Sequence, residues 1–240
     1  MTNEEFSNNF TVLLNTYSVR PPFGSQNSPQ EVALDEYEKS VYLTRAQEEI
    51  VLSLYKGTLG KSFEASEEIR RYLEALVKTR VYTKDEAVEK ENTLTDKSYC
   101  FELDNSVAFI TLEQVIYEDD KEKPCSKDGV IAKVYPVTQD EYARIRNNPF
   151  RGVTDYKVLR LDYGNSVLEL ISKYDIKEYL IRYISKPEPI ILEDLPNGLT
   201  INGKSEKTEC LLHSLLHQAI LQKAVELALV GRRITTNVNN

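Results

Sequence analysis

The chain has no tryptophan, one methionine, two histidines and three cysteines in 240 residues. Cys100, Cys125 and Cys210 are odd in number and far apart. They offer no disulfide framework, and reduced thiols are the simple reading. No run approaches the ~18 apolar residues of a membrane-spanning helix. The opening, MTNEEFSNNF, is acidic and polar, unlike a secretory leader. Positive charge is scarce: 30 Lys and Arg face 38 Asp and Glu, a formal net charge of -8. That balance disfavours generic nucleic-acid binding, which depends on a basic surface displacing counterions. Glycine-rich phosphate loops are also missing. GTLGKS at 57–62 has two residues between its glycines where a phosphate loop has four, and it follows a helical pattern instead of a strand. It reads as a helix stop.

Against those absences stands a folded composition, 41% hydrophobic and 28% charged. Phe6, Phe10, Leu13, Leu14 and Tyr17 form one helical stripe, and VRPPFGSQNSPQE then breaks the helix. From Leu34 to Lys56 a second helix is expected, opened by a capping-box pair, Asp35 and Glu38, and closed at Gly57 and Gly60. It is apolar on two sides: Leu34, Tyr37, Val41, Leu52 and Tyr55 on one, Leu43, Ala46, Ile50 and Leu54 on the other. Such a helix is sandwiched between two partners. A helix over Ser66–Lys78 and an exposed charged connection over 83–97 follow. From Ser98 the pattern turns to strands, with a tight turn at Asp104-Asn105, a short helix capped by Thr138, and a strand pair turning at Gly164-Asn165. In IKEYLIRYISKPEPIIL, Tyr179, Ile181 and Tyr183 alternate with Leu180, Arg182 and Ile184, and Pro187 and Pro189 suggest an edge strand's end. A final helix spans Thr208–Val230, closed by Gly231. The expected class is α+β: N-terminal helices, a central, mainly antiparallel sheet with a short helix, and a long C-terminal helix. The expected regions are 1–82 (helical), 83–97 (connection), 98–204 (β-rich) and 205–240 (helix and tail), joined as one domain.

Candidate chemistry is sparse. Cys210, His213 and His217 have helical spacing and would suit zinc, the basis for an alternative reading as a metal-dependent enzyme. The histidines, however, lie on the shoulder of a stripe formed by Leu212, Leu216, Ile220, Ala224 and Leu227, and no glutamate follows His213. The carboxylates Asp35, Glu36, Glu38, Glu48 and Glu49 sit among Lys39 and Arg45, a solvated, ion-paired face. Asp162 and Glu169 resemble a nuclease pair, but the lysine such a site needs after Glu169 is Ile171. Arg144, Arg146 and Arg151 form a basic cluster around NPFRG suited to surface or subunit contacts. Arg232 and Arg233 follow the last helix as candidate DNA-channel contacts. Fifteen tyrosines are compatible with interfaces and with sheets.

Four blocks, LDEYEKSVYLTRAQEEIVLSLY, PVTQDEYARIRNNPFRG, IKEYLIRYISKPEPIIL and the terminal pattern of Cys210, Leu212, His217, Ile220, Leu221, Ala224, Val225, Leu227 and Ala228, resemble virion structural proteins of crAss-like and related Bacteroidetes phages. The resemblance implies a head-to-tail connector component, a ring protein of the neck below the portal. In layout it is similar to podovirus tail-tube adaptors, which form closed, typically twelvefold rings. It implies portal and neighbouring neck or tail ring proteins as partners, DNA in the lumen, location in the virion after assembly in the host cytoplasm, no cofactor and no reaction. Tyr37, Val41, Leu43, Ile50, Leu54, Leu212, Leu216, His217 and Ile220 are the candidate interface residues. An acidic assembly chaperone or scaffold is the other alternative.

Overall fold

Two compact units make up the chain, Met1–Leu76 with Lys186–Asn240, and Val77–Ser185. The sequence pattern suggests divisions near 82, 97 and 204; the compact units divide after 76 and after 185. The computed structural model describes residues 1–18, 33–57, 62–88, 98–118, 129–196 and 198–238, by backbone alone from 232 on. The proline-rich break at 19–31, Gly60, most of the charged connection and Cys125 lie outside these residues.

The first unit is helical. Helix α1 (Asn3–Ser18) buries Phe6, Phe10 and Leu14, while Tyr17 of the expected stripe is exposed. Helix α2 (Glu36–Lys56) starts as its sequence indicates. Glu38 N donates to the Asp35 carboxylate at 2.7 Å, and Asp35 N donates to the Glu38 carboxylate at 3.2 Å. Gly57 ends it with φ 76°, a left-handed conformation that favours glycine. Helix α3 (Glu67–Tyr72) stops well short of Lys78. Val77, Thr79 and Val81 are β-branched, and each residue from Val77 to Thr83 pairs with a strand; the pairing overrides the helical pattern.

Helix α5 (Ser214–Val238) differs from expectation at both ends. It starts after Thr208, because Thr208 N donates to the Ile191 carbonyl at 3.1 Å and is held extended. It continues through Gly231. A side chain at Gly231 would lie 3.1 Å from the Tyr42 hydroxyl, so this glycine serves close helix approach instead of a stop.

An extended strap, residues 186–192, runs against α2. Pro187 and Pro189 cannot donate backbone hydrogen bonds, and the neighbouring backbone groups are met by one row of α2. Gln47 Nε2 donates to the Glu188 carbonyl at 2.7 Å. Ile190 N donates to Thr44 Oγ1 at 3.0 Å, and Leu192 N to Ser40 Oγ at 3.0 Å. Asn3 Nδ2 donates to the Ile191 carbonyl at 2.9 Å. Ser40, Thr44 and Gln47 are buried polar residues at helical spacing, and the strap satisfies them.

The second unit is a seven-stranded sheet, ordered β1-β7-β3-β4-β5-β6-β2. Its strands are β1 (Val77–Thr83), β2 (Ser98–Glu102), β3 (Val107–Tyr117), β4 (Ile131–Pro136), β5 (Lys157–Gly164), β6 (Val167–Ile171) and β7 (Ile176–Ser185). All pairs are antiparallel except β4 with β5, which α4 (Gln139–Ile145) connects. Thr138 caps α4 by accepting from Glu141 N. The α+β class with a mainly antiparallel sheet is as the sequence indicates.

Three local expectations change. The turn after Asp104 forms, but its strands do not pair: β2 lies on β6 and β3 on β7. Strand β7 is interior, between β1 and β3, because its prolines come after Ser185 and remove no ladder donor. The β5–β6 turn centres on Asn165 and Ser166, with φ 52° and 61°.

The sheet curls until its end strands meet: the Tyr82 and Phe101 rings are 5.8 Å apart. Inside lie Phe101, Val115, Tyr117, Val158, Leu168, Tyr179 and Ile181. Leu159, Leu161 and Ile171 face the other way, under Tyr142 and Ile145 of α4. One ion pair is closed inside the curl: Arg160 Nη1 donates to Glu113 Oε2 at 2.6 Å, and the Tyr179 hydroxyl donates to Glu113 Oε1. Burial, then the Glu113 charge, pushes the Tyr179 phenol far above its ordinary range, so it stays a donor.

Two substitutions test these centres separately. Thr44→Val keeps the shape but leaves the Ile190 N–H without an acceptor, with an expected cost of about 1–3 kcal/mol. Glu113→Ala removes a buried carboxylate from the Tyr179 hydroxyl and from the half-buried Arg160 guanidinium, which keeps only Asp162, and should cost about 3 kcal/mol. Urea denaturation gives the magnitudes. Amide exchange should place the first loss in the α2 and α5 amides and the second in the sheet.

Candidate assembly surfaces

The cysteine and histidines of 210–217 are held by three different sets of neighbours. Cys210 and His213 precede α5, so helical spacing does not align them with His217. Cys210 Sγ donates to Gln47 Oε1 at 3.3 Å. His213 is exposed beside Tyr72, with ring centroids 5.7 Å apart. His217 is buried: its Nε2–H donates to the Leu212 carbonyl at 2.9 Å, and Nδ1 is 2.6 Å from the Met1 amine. Among the described residues no group of three Cys, His, Asp or Glu is arranged to hold a metal. His217 instead closes the start of α5 against α1, with Phe6 5.4 Å from its ring.

The acidic candidates also separate. Leu161 pairs with Glu169 and Asp162 with Leu168, so Asp162 and Glu169 point to opposite faces of the sheet. Glu49 lies 3.3 Å from Arg45 and 3.6 Å from Lys223, and Glu48 accepts from Asn202. Lys39 is not solvated as its neighbours suggest. It is buried, donating to Glu36 at 2.7 Å and to Ser7 at 3.0 Å.

Of the nine candidate interface residues, Leu43, Leu54, Leu212, Leu216, His217 and Ile220 are buried in the first unit's own core. Val41 is 37% exposed, and Tyr37 and Ile50 are half-buried. Leu52 of the same outward row is also exposed. The two apolar sides of α2 are therefore a core side and a partly open side. Arg232 and Arg233 fall within α5 instead of after it; their side chains lie outside the described residues.

Two exposed features carry more chemistry. In the second unit, the turn after α4 presents Phe150 at 91% exposure. Phe150 N and Arg151 N both donate to the Asn148 side-chain oxygen, at 2.9 and 3.2 Å, and Gly152 N donates to the Asn148 carbonyl at 2.7 Å. A Cβ at Gly152 would lie 2.8 Å from that carbonyl, so only glycine lets the turn close. Arg144, Arg146 and Arg151, within six residues of Phe150 in the chain, are all exposed. In the first unit, Glu67, Glu68, Arg71 and Tyr72 of α3 face His213 and Leu215 across an open groove of about 640 Å³. Leu215 is 67% exposed, and the Tyr72 hydroxyl donates to Glu68. The arginines at 144–151 stand out in the sequence; Phe150 does not, although a phenylalanine between Asn-Pro and Arg in a turn has no element to bury it.

Both features offer exposed apolar and charged groups suited to protein contact. The chain belongs to the phage tail ring protein 3/4 family, whose model matches residues 1–240. It is a virion structural component that assembles as an oligomer, not an enzyme. It is 46% identical to Ring protein 3 of Bacteroides phage crAss001, over 97% of this chain and 96% of that protein. It is 31% identical to Ring protein 4/5 of the same phage, over 95% and 92%.

Burial, helped by the nearby amine charge and opposed by the Leu212 carbonyl, lowers the His217 pKa below its ordinary value of 6.5. The unfolded chain then takes up a proton that the folded chain refuses. This part of the stability is present above the unfolded pKa and is lost as pH falls toward the folded one. His217→Gln should flatten the fall in melting temperature between about pH 7 and about pH 5. An unchanged slope would show that His217 does not contribute.

Proposed function

We propose that this chain is a neck ring subunit, closing with copies of itself, in the twelvefold manner the resemblance implies, between the capsid portal and the tail. The observation that carries the reading is the end-to-end family match, with two phage ring proteins similar over more than nine-tenths of the chain. A subunit of a closed cyclic ring needs two different lateral surfaces that meet head to tail. The open row of α2, the α3 groove and the arginine-rich turn provide exposed surfaces of different character. Portal and adjacent ring proteins would bind the two ends of the ring.

DNA would pass through the lumen. Each phosphate contact adds affinity, so an acidic wall lets the duplex move. With a net charge of -8, the chain suits that role, and Arg232 and Arg233 would form at most a narrow basic rim. Synthesis and subunit folding take place in the host cytoplasm before incorporation.

Reconstruction of the virion by electron microscopy tests the proposal. The expected result is density for this chain as a closed ring on the channel axis next to the portal or another ring. Mass spectrometry of purified particles that finds the chain absent would instead identify it as an assembly factor and overturn the proposal.

A further inference from the structure

We infer that the Phe150 turn of one subunit docks into the α3 groove of the next, and that this contact sets the direction of ring closure. The inference rests on the ring reading above. Charge is the first argument. RIRNNPFR, residues 144–151, carries three arginines and no acid in a chain of net charge -8. None of the three makes a side-chain ion pair among the described residues. The groove presents Glu67 and Glu68, whose carboxylates suit the two-pronged geometry of guanidinium donors. Arg71, 4.0 Å from Glu67 at the exposed rim, is held only loosely.

Shape and polarity agree with charge. Phe150 projects almost wholly into solvent, and the groove offers Leu215 and the Tyr72 ring as an apolar landing. An exposed aromatic with arginines close to it in the chain is the composition that concentrates binding energy at interfaces. The turn is also preorganised. Asn148 fixes both flanking amides, Lys157 Nζ donates to the Arg151 carbonyl at 2.6 Å, and Gly152 allows the tight closure. A turn already ordered gives up little entropy on docking. The occupant is a second copy because knob and groove are different patches of one chain, and a ring that closes by rotation needs such an unlike pair.

The test places the photoreactive phenylalanine analogue p-benzoylphenylalanine at position 150 in the full chain and irradiates the assembled oligomer. Cross-linked peptides should join position 150 to residues 67–72 or 211–215 of another copy. In parallel, Arg151→Glu and Glu68→Arg should each weaken assembly about tenfold or more by mass photometry, and the double variant should recover most of the loss. Labelling elsewhere in an intact oligomer, or a swap that does not recover, overturns the docking while the ring reading stands. A native chain that forms no ring, alone or in the virion, overturns both. Position 150 is so exposed that its replacement leaves the subunit fold intact, as an unchanged melting temperature will verify.

Discussion

The helical unit depends on hydrogen bonds between three side chains of α2 and a strap of backbone 141 to 152 residues further along the chain. The strap carries two prolines and three buried aliphatics, Ile190, Ile191 and Leu192. Apolar side chains drive it inward, but its amides and carbonyls go with them. An orphaned buried backbone group costs about as much as one aliphatic burial supplies. Ser40, Thr44 and Gln47 resolve that conflict by acting as a ladder where no strand is available. Asn3 and Thr208 hold the opposite edge at Ile191. With the strap in place, Ile191 bridges to Thr208, and Thr208 in turn delays the start of α5 until Ser214. The register of α5 against α1 and α2 thus follows from polar groups in the core, because hydrophobic packing alone tolerates sliding.

The sheet unit uses a polar element differently. A curled sheet with large aromatics inside, Tyr82, Phe101 and Tyr179, has many nearly equivalent ways to pack. The Arg160–Glu113 pair removes that freedom, because only one register of β3 and β5 brings the fork and the carboxylate together. Its cost in desolvation is large and its net contribution modest. Tyr179 shares the second carboxylate oxygen, so neither oxygen of Glu113 is wasted. Asp162, mostly exposed and 3.2 Å from Arg160 Nε, extends the network to the strand end.

Much of this was legible in the sequence where a rule is local. The Asp35–Glu38 capping box, the Thr138 cap and the alternation of Tyr179, Ile181 and Tyr183 all appear in the structure as their neighbours dictate. What was not legible depends on distant partners. VKTRVYT becomes a strand because β7 pairs with it, and the Asp104 turn joins strands that find partners elsewhere. Lys39 and Thr44 look like surface residues until Ser7 and Ile190 arrive to bury and satisfy them. At the candidate surfaces the same limit applies. Periodicity identified two apolar sides of α2 but not which side the fold itself would consume. Six of the nine regularly spaced candidates are buried in the core, and the aromatic outside any regular element is exposed.

That outcome follows from what a ring subunit must do before it assembles. It has to remain soluble as a free chain, so broad apolar faces must be covered within the subunit. The open apolar residues of α2 are single and flanked by charge: Val41 sits between Glu38 and Arg45, and Leu52 between Glu48 and Lys56 at helical spacing. Charged flanks of this kind discourage indiscriminate association. A contact that must form in one direction only needs a different device, one unlike pair of patches joined by charge and shape. An exposed phenylalanine in an arginine-rich turn and a groove lined by Glu67, Glu68 and Leu215 meet that requirement without adding a large sticky surface. Specificity can then come from a small contact repeated around the ring, where closure makes each contact reinforce the others.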